Sequence, residues 1–366
     1  MNTKERTRSD RAVANWIMIG VVMLIIQILL GGITRLTGSG LSITEWDVIT
    51  GTLPPLNHNE WLQEFHKYQQ TPQYHLLNFN FTIQDFKFIF FWEWFHRLWG
   101  RLIGIAFLIP FIVFLLQKRL RTTMIKPLII LFLLGALQGA VGWIMVASGL
   151  TGDAIYVKPA KLAMHFGLAC VLISYAYWFC LQLKVQNKDL VANHYLKDFT
   201  WLLVVLLLIQ LIFGALLAGH KGATAAPTWP DINGSFAPSY IFKQGPVGIV
   251  NNPIVIQFIH RSIAYLLVLF ILIWTIRALK VKASPSFMKV RWIPAVFVLI
   301  QLMLGIFTVL TSSRIRPAKW NAFEWLAQLH QLVAILLLLS LITALFFLQG
   351  KQNLKTRKVV EANVIK

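Results

Sequence analysis

Eight predominantly apolar stretches divide the chain, at roughly 16–33, 88–117, 124–148, 161–183, 199–219, 253–276, 292–312 and 323–349. Each is long enough to cross about 30 Å of hydrocarbon as a helix. Backbone polar groups in lipid must be satisfied within the segment, so these stretches predict an all-α integral membrane protein with eight transmembrane helices. Composition agrees, with 57% apolar against 13% charged residues and a mean hydropathy of +0.64; water-soluble globular domains do not carry that ratio. Cys170 and Cys180 are the only cysteines, which excludes a disulfide scaffold and a Cys-ligated zinc or iron–sulfur centre. They stand ten residues apart on one predicted helix, too far along the axis for a disulfide, and read as core packing.

An even number of spans puts both termini on one side, and Lys and Arg decide which. The formal charge is +20. The termini and the connections from even to odd spans hold 21 basic residues, and the opposite loops hold 10, which predicts cytoplasmic termini. The excess is an orientation signal that also favours anionic lipid head groups, and no nucleic-acid partner is expected. The segment before the first span carries Glu5 and Asp10, fitting neither a cleaved secretory signal nor an acid-poor transit peptide. The expected location is a bacterial plasma membrane.

Polar residues inside the spans repeat. Every odd-numbered span contains Gln-x-x-x-Gly, at Gln27 and Gly31, Gln138 and Gly142, Gln210 and Gly214, and Gln301 and Gly305. Every even-numbered span contains one histidine: His96, His165, His260 or His330. The first pair is 69 residues apart and the second 70, which predicts two tandem four-helix bundles related by pseudo-symmetry, over 1–190 and 191–366. Gln-x-x-x-Gly alone reads as close helix packing, the glycine admitting a neighbouring backbone and the glutamine bonding across the seam.

An ionisable side chain in hydrocarbon is costly and marks function. Even spans run inward in this topology, so all four histidines fall in the outer leaflet, one to two turns past the outer helix ends. Two imidazoles at similar height from different helices of one bundle suit axial ligation of a haem from both faces. Proton or metal transport and plain packing are the weaker alternatives. Zinc would need three or four converging ligands. A di-iron carboxylate bundle uses Glu-x-x-His, matched by Glu93 and His96, but Gln257 and Ala327 stand at the equivalent places before His260 and His330; the motif is not repeated.

His96 and His260 are followed by Arg97 and Arg261, placed either to clamp haem propionates or to snorkel toward head groups. Glu93, one helical turn before His96, projects to the same face and so toward the same macrocycle; the alternative is an acid complementing the helix dipole. The first outer connection, 34–87, is longer than its counterpart and rich in Trp, Tyr and Asn. A lid or a docking surface is expected of it.

The run Gly31-Gly32-Ile33-Thr34-Arg35-Leu36-Thr37-Gly38-Ser39-Gly40-Leu41-Ser42, the pairs Glu60-Trp61 and Thr71-Pro72, Phe86-Lys87-Phe88-Ile89, and Glu93-Trp94-Phe95-His96-Arg97-Leu98-Trp99-Gly100-Arg101 resemble the heme A synthase family. The subtype is the one shared by mitochondria and proteobacteria-like bacteria. Later matches are Lys161-Leu162-Ala163-Met164-His165, Gln257-Phe258-Ile259-His260-Arg261 and Gln328-Leu329-His330-Gln331, so the resemblance runs along the whole chain. It implies an oxidoreductase that converts heme O to heme A, oxidising the methyl group at ring position C8 to a formyl, for cytochrome oxidase assembly. It further implies that His96 and His165, in 1–190, serve the substrate haem; that His260 and His330, in 191–366, hold a haem B that passes electrons; and that Glu93 is the family's essential glutamate. Some members carry a redox-active cysteine pair in an outer loop; this chain has none, which excludes a cysteine-based step. Residues 219–238 depart from the family pattern.

If His96 and His165 both bind the substrate iron, no coordination position stays open for dioxygen. The expected chemistry is loss of hydride equivalents from the C8 methyl, with Glu93 as base, electrostatic partner or transient covalent trap. Water supplies oxygen, and a second round gives a geminal diol that collapses to the aldehyde. Electrons leave through the second haem to an acceptor for which a quinone is the candidate. The other expected partners are the lipid bilayer and, by resemblance, a heme O synthase; a homo-oligomer is left open. The competing function is a diheme membrane cytochrome carrying electrons between quinol and the outer face. It explains four histidines but neither Glu93 nor the unequal halves. A histidine-gated proton or metal transporter predicts more intramembrane acids than Glu93 and Glu324.

Overall fold

The computed structural model describes residues 3–45, 52–239, 245–314 and 320–350, the side chains of 3–8 and 314 excepted. Residues 351–366, Lys243, Arg316 and Lys319 of the charge tally lie outside the described residues. The helices are α1 (Thr3–Leu36), α2 (His58–Gln69), α3 (Pro72–Leu77), α4 (Ile83–Leu116), α5 (Thr122–Ala147), α6 (Pro159–Lys184), α7 (His194–Gly219), α8 (Gly245–Asn251), α9 (Pro253–Leu279), α10 (Pro285–Val290), α11 (Ile293–Thr311) and α12 (Ala322–Phe347). Among the described residues, eight helical segments, on α1, α4, α5, α6, α7, α9, α11 with α10, and α12, are long and apolar enough to cross a membrane. They coincide with the eight predicted stretches, and the protein is an all-helical, multi-pass membrane protein.

Caps set where the histidine-bearing helices begin. Thr82 and Asp85 form a capping box that starts α4 five residues earlier than its apolar stretch. Pro159 opens α6, Asn252 and Pro253 open α9, and Asn321 with Glu324 caps α12. Proline at the first helical position and an oxygen-bearing N-cap are favoured because the first turn's N–H groups lack helical partners. His165, His260 and His330 are consequently the seventh, eighth and ninth residues of their helices, and His96 is the fourteenth of the longer α4.

The extra turns of α4 have their own core. Phe86, Ile89 and Phe90 pack with Tyr68 of α2, flanked by Trp61, Phe65, Tyr74 and Trp94. Helices α2 and α3 of the long connection thus form a folded aromatic cap seated on α4, and Thr71 with Pro72 is the start signal of α3. Tyr68 is fully buried, and burial pushes its phenol up to about 12. The phenol donates to Gln73 Oε1 at 3.0 Å, and Asn78 Nδ2 donates to the phenol oxygen at 2.6 Å.

In the first half α1 packs on α4 and α6, α5 packs on α6, and α4 touches α5 more slightly. In the second half α7 packs on α9 and α12, α9 on α11, and α11 on α12. The halves meet along α6–α7, α6–α12 and α1–α12. More than half of the most apolar window of α12 is buried, and none of that of α4, so α12 is an inner helix while α4 turns Ile105, Ile109 and Leu116 outward, as a lipid-facing helix does. Proline 110 leaves the carbonyl of Ala106 without its helical N–H, and the Trp16 indole on α1 donates to that oxygen at 2.8 Å. Gln328 and Gln331 of α12 fasten the seam, donating to the carbonyls of Leu29 at 2.9 Å and Ile28 at 2.8 Å on α1. Cys170 and Cys180 are free and buried in the main core, as their spacing predicts.

Candidate functional site

The two repeated motifs meet each other. In every case a Gln-x-x-x-Gly helix packs its glycine against the histidine of the span that follows. A methyl group built on Gly31 would stand 3.2 Å from His96 Cε1; on Gly142, 2.8 Å from His165 Cε1; on Gly214, 3.1 Å from His260 Cε1; and on Gly305, 3.0 Å from His330 Cε1. The glutamine one turn earlier holds the same residue. Gln27 Nε2 donates to the His96 carbonyl at 3.1 Å, Gln138 Nε2 to that of His165 at 3.1 Å, and Gln210 Nε2 to that of His260 at 2.9 Å. Gln301 Nε2 lies 3.2 Å from His330 Nε2. The packing reading of the motif holds, but what the glycine admits is an imidazole rather than a backbone. Each glycine is five or six residues short of its helix's last residue, so the four cradles share one depth.

Gly142 is the tightest cradle. Gly142→Ala is expected to destabilise the protein by about 1–3 kcal/mol, the usual cost of overpacking, and to lower the midpoint of a thermal melt in detergent. Helix propensity alone predicts the opposite sign, since Ala exceeds Gly by about 1 kcal/mol. An unchanged or raised midpoint would mean that His165 yields freely.

All four histidines and all four motif glycines line one cavity of about 1920 Å³. The Nδ1 atoms of His96, His260 and His330 are buried without a partner in the protein. His260 and His330 face each other with ring centroids 6.5 Å apart and planes at 70°. Among the described residues no three His, Cys, Asp or Glu side chains converge on a point, so the site lacks the ligand set of a bare metal ion.

Glu93 also lines this cavity and is 2% exposed. Its carboxylate accepts four hydrogen bonds. Ser42 N and Ser42 Oγ each approach Oε2 at 2.7 Å, and Ile43 N at 3.0 Å; Arg97 donates to Oε1 at 2.6 Å. The Glu93–Arg97 pair is an i,i+4 ion pair with both side chains largely buried. Arg97 further donates to the carbonyls of Ile43 and Glu45, each at 3.2 Å. Arg261 donates to those of Asp231 at 2.7 Å, Thr228 at 2.8 Å and Ala226 at 3.3 Å. Neither arginine snorkels: both are held by loop carbonyls beside the cavity.

The second half repeats this anchor with different chemistry. Gln257, at the place equivalent to Glu93, is 1% exposed and donates to the carbonyls of Gly222 at 3.1 Å and Ala226 at 3.2 Å. One helical position thus fastens the preceding loop in both halves, with an amide that donates in one and a carboxylate that accepts in the other. The sequence gives the three-residue offset before each histidine, but not that both side chains turn to loops far away in the chain.

A model of the COX15-CtaA family, cytochrome oxidase assembly proteins, matches residues 14–342. The heme A synthase of Parvibaculum lavamentivorans is 40% identical over 313 residues, covering 85% of this chain and 89% of its own. Those of Cereibacter sphaeroides and Brucella suis are each 37% identical, over 345 and 334 residues, covering 89% and 91% of this chain and 85% and 93% of theirs. The similarity runs from the first span into the last and takes in all four cradles: the chain belongs to the COX15-CtaA family of cytochrome oxidase assembly proteins, the family of the heme A synthases.

Proposed function

We propose that this chain is an oxidoreductase of the membrane that converts heme O to heme A for cytochrome oxidase assembly, oxidising the C8 methyl of the substrate to a formyl. The observation that carries the reading is the fourfold repetition of one device, a histidine held between a glycine and a glutamine, inside a single cavity. Haem iron brings four equatorial nitrogens and needs from the protein only axial ligands, which histidine supplies. Paired imidazoles therefore suffice where three-ligand clusters are missing. His260 and His330, with ring centroids 6.5 Å apart in the cavity, are the residues that would hold a haem iron in the second half. The cavity exceeds the roughly 1000 Å³ upper range of single-ligand pockets, which suits two flat macrocycles.

Within this reading 1–190 forms a four-helix half that binds heme O between His96 and His165, and 191–366 forms a second half that binds haem B between His260 and His330. A haem B held there would supply one-electron chemistry, with a compound of the quinone class as the acceptor. Oxidation of a methyl to a formyl takes up one water and releases four electrons and four protons. Glu93, one turn from His96, supplies a fixed negative charge beside the site where positive charge develops. Its four donors commit the oxygens that a general base would offer, which favours the electrostatic role over proton abstraction or covalent trapping. Arg97 and Arg261 orient the loops over the two sites. By the charge distribution the termini are cytoplasmic and the haem sites lie toward the outer face of a bacterial plasma membrane. A heme O synthase is the supplier of substrate, and self-association is open to test by mass measurement in detergent.

The test is the pigment of the purified protein. Haem B together with heme O or heme A is the expected content by optical spectrum and chromatographic separation. Haem B alone would favour the diheme electron carrier, and a protein without a Soret band would remove both functions.

A further inference from the structure

A haem carries two propionate carboxylates, and the arginines next to the histidines are already engaged, Arg97 with Glu93 and two carbonyls, Arg261 with three carbonyls. Arg35 differs. It lies in the last turn of α1, half-buried, and lines the cavity. Among the described residues it has no ion pair within 4.0 Å. Glu324 acts on it only from farther away, and a Glu324 oxygen is taken by Asn321 N at 2.8 Å. Of the five donors of the guanidinium fork, one reaches the Ala218 carbonyl at 2.7 Å.

Position makes this cation specific. Arg35 follows Gly31 by four residues and so lies on the helix face that cradles His96, one turn nearer the helix end. The same position beyond the cradle glycine is Val146 in α5, Ala218 in α7 and Val309 in α11. Only the α1 cradle carries a charge there. Ala218, the partner of Arg35, is itself one turn beyond Gly214 and the His260 cradle, so Arg35 stands where the two halves meet. A guanidinium without an acid in such surroundings is unfavourable unless an anion joins it, and its planar fork matches a carboxylate.

We propose that Arg35 is the carboxylate clamp of the substrate site, receiving one propionate of heme O at the seam between the halves. The inference rests on the reading that His96 and His165 bind heme O. It is tested by a cycle in full-length protein purified from a host that makes no heme O. Heme O and its propionate dimethyl ester are titrated into wild type, Arg35→Gln and Arg35→Lys, following the Soret shift, with haem B content as the check on folding. Arg35→Gln is expected to weaken heme O binding about tenfold or more, the scale of one charge-assisted contact, and Arg35→Lys less. The ester is expected to bind all three proteins alike and more weakly than heme O binds wild type. Equal weakening of acid and ester, or none for the acid, overturns the clamp. Should Arg35→Gln not fold, Arg35→Lys and the wild-type comparison decide, and a wild type that holds the ester as tightly as heme O overturns it. A wild type that binds neither form removes both the reading beneath and the clamp.

Discussion

Glu93→Gln is expected to cut heme A formation by about 10²-fold or more, the scale for removing an electrostatic or proton-transfer group from a reacting centre, while haem B in the second half persists. The variant is nearly isosteric. Its Oε1 can still accept from Ser42 N and Ile43 N, whereas its Nε2 turns a donor toward the Arg97 donor and the ion pair is lost. Gln257 fastens its loop by donating to carbonyls, whereas Glu93 fastens its loop by accepting, so the amide also weakens the loop anchor, and retained haem B is the check that the fold survives. The measurement is chromatographic separation of haems extracted from cells expressing the variant. Normal heme A would assign Glu93 to the loop anchor alone and return weight to the electron-carrier function; accumulation of an alcohol would mean that the second oxidation depends on the charge more than the first.

The spans were legible because hydropathy over a helix-length window is a local property; the capping residues Thr82 and Asn321 explain the earlier starts of α4 and α12, while α9 opens at Pro253, where its stretch begins. The histidines and the Gln-x-x-x-Gly pattern were equally visible as spacing. Their mutual contact was not, because it joins residues of neighbouring spans, 69 apart for Gln27 and His96 and 50 apart for Gln210 and His260. The arginines show the same limit. Arg97 and Arg261 follow histidines, which points to a ligand clamp or to lipid, and their loop carbonyls come from 30 to 54 residues earlier in the chain. Arg35 reads as the first cation of a loop, yet the helix continues through it to Leu36. The four-residue step from Gly31 is the signal that would have placed it on the histidine face. Likewise the sequence does not show that Tyr68 and Phe86, 18 residues apart, meet in an aromatic cluster that seats α2 on α4.

The proposed division of labour between the halves carries the other large effect. If the histidines hold haem iron as proposed, removing one would remove that hold, and the four cradles are alike enough that each His→Ala change is comparable in its local disturbance. Differences among the four variants therefore report which haem each pair binds. His260→Ala and His330→Ala are expected to lose haem B. His96→Ala and His165→Ala are expected to keep it and to make no heme A. The direct measurement is the reduced pyridine hemochrome of purified wild type beside all four variants, with the extracted haems separated and quantified. Haem B retained in the first-half variants and lost in the second-half variants is the predicted result; equal loss of pigment from all four, or haem B surviving His260→Ala, would contradict it.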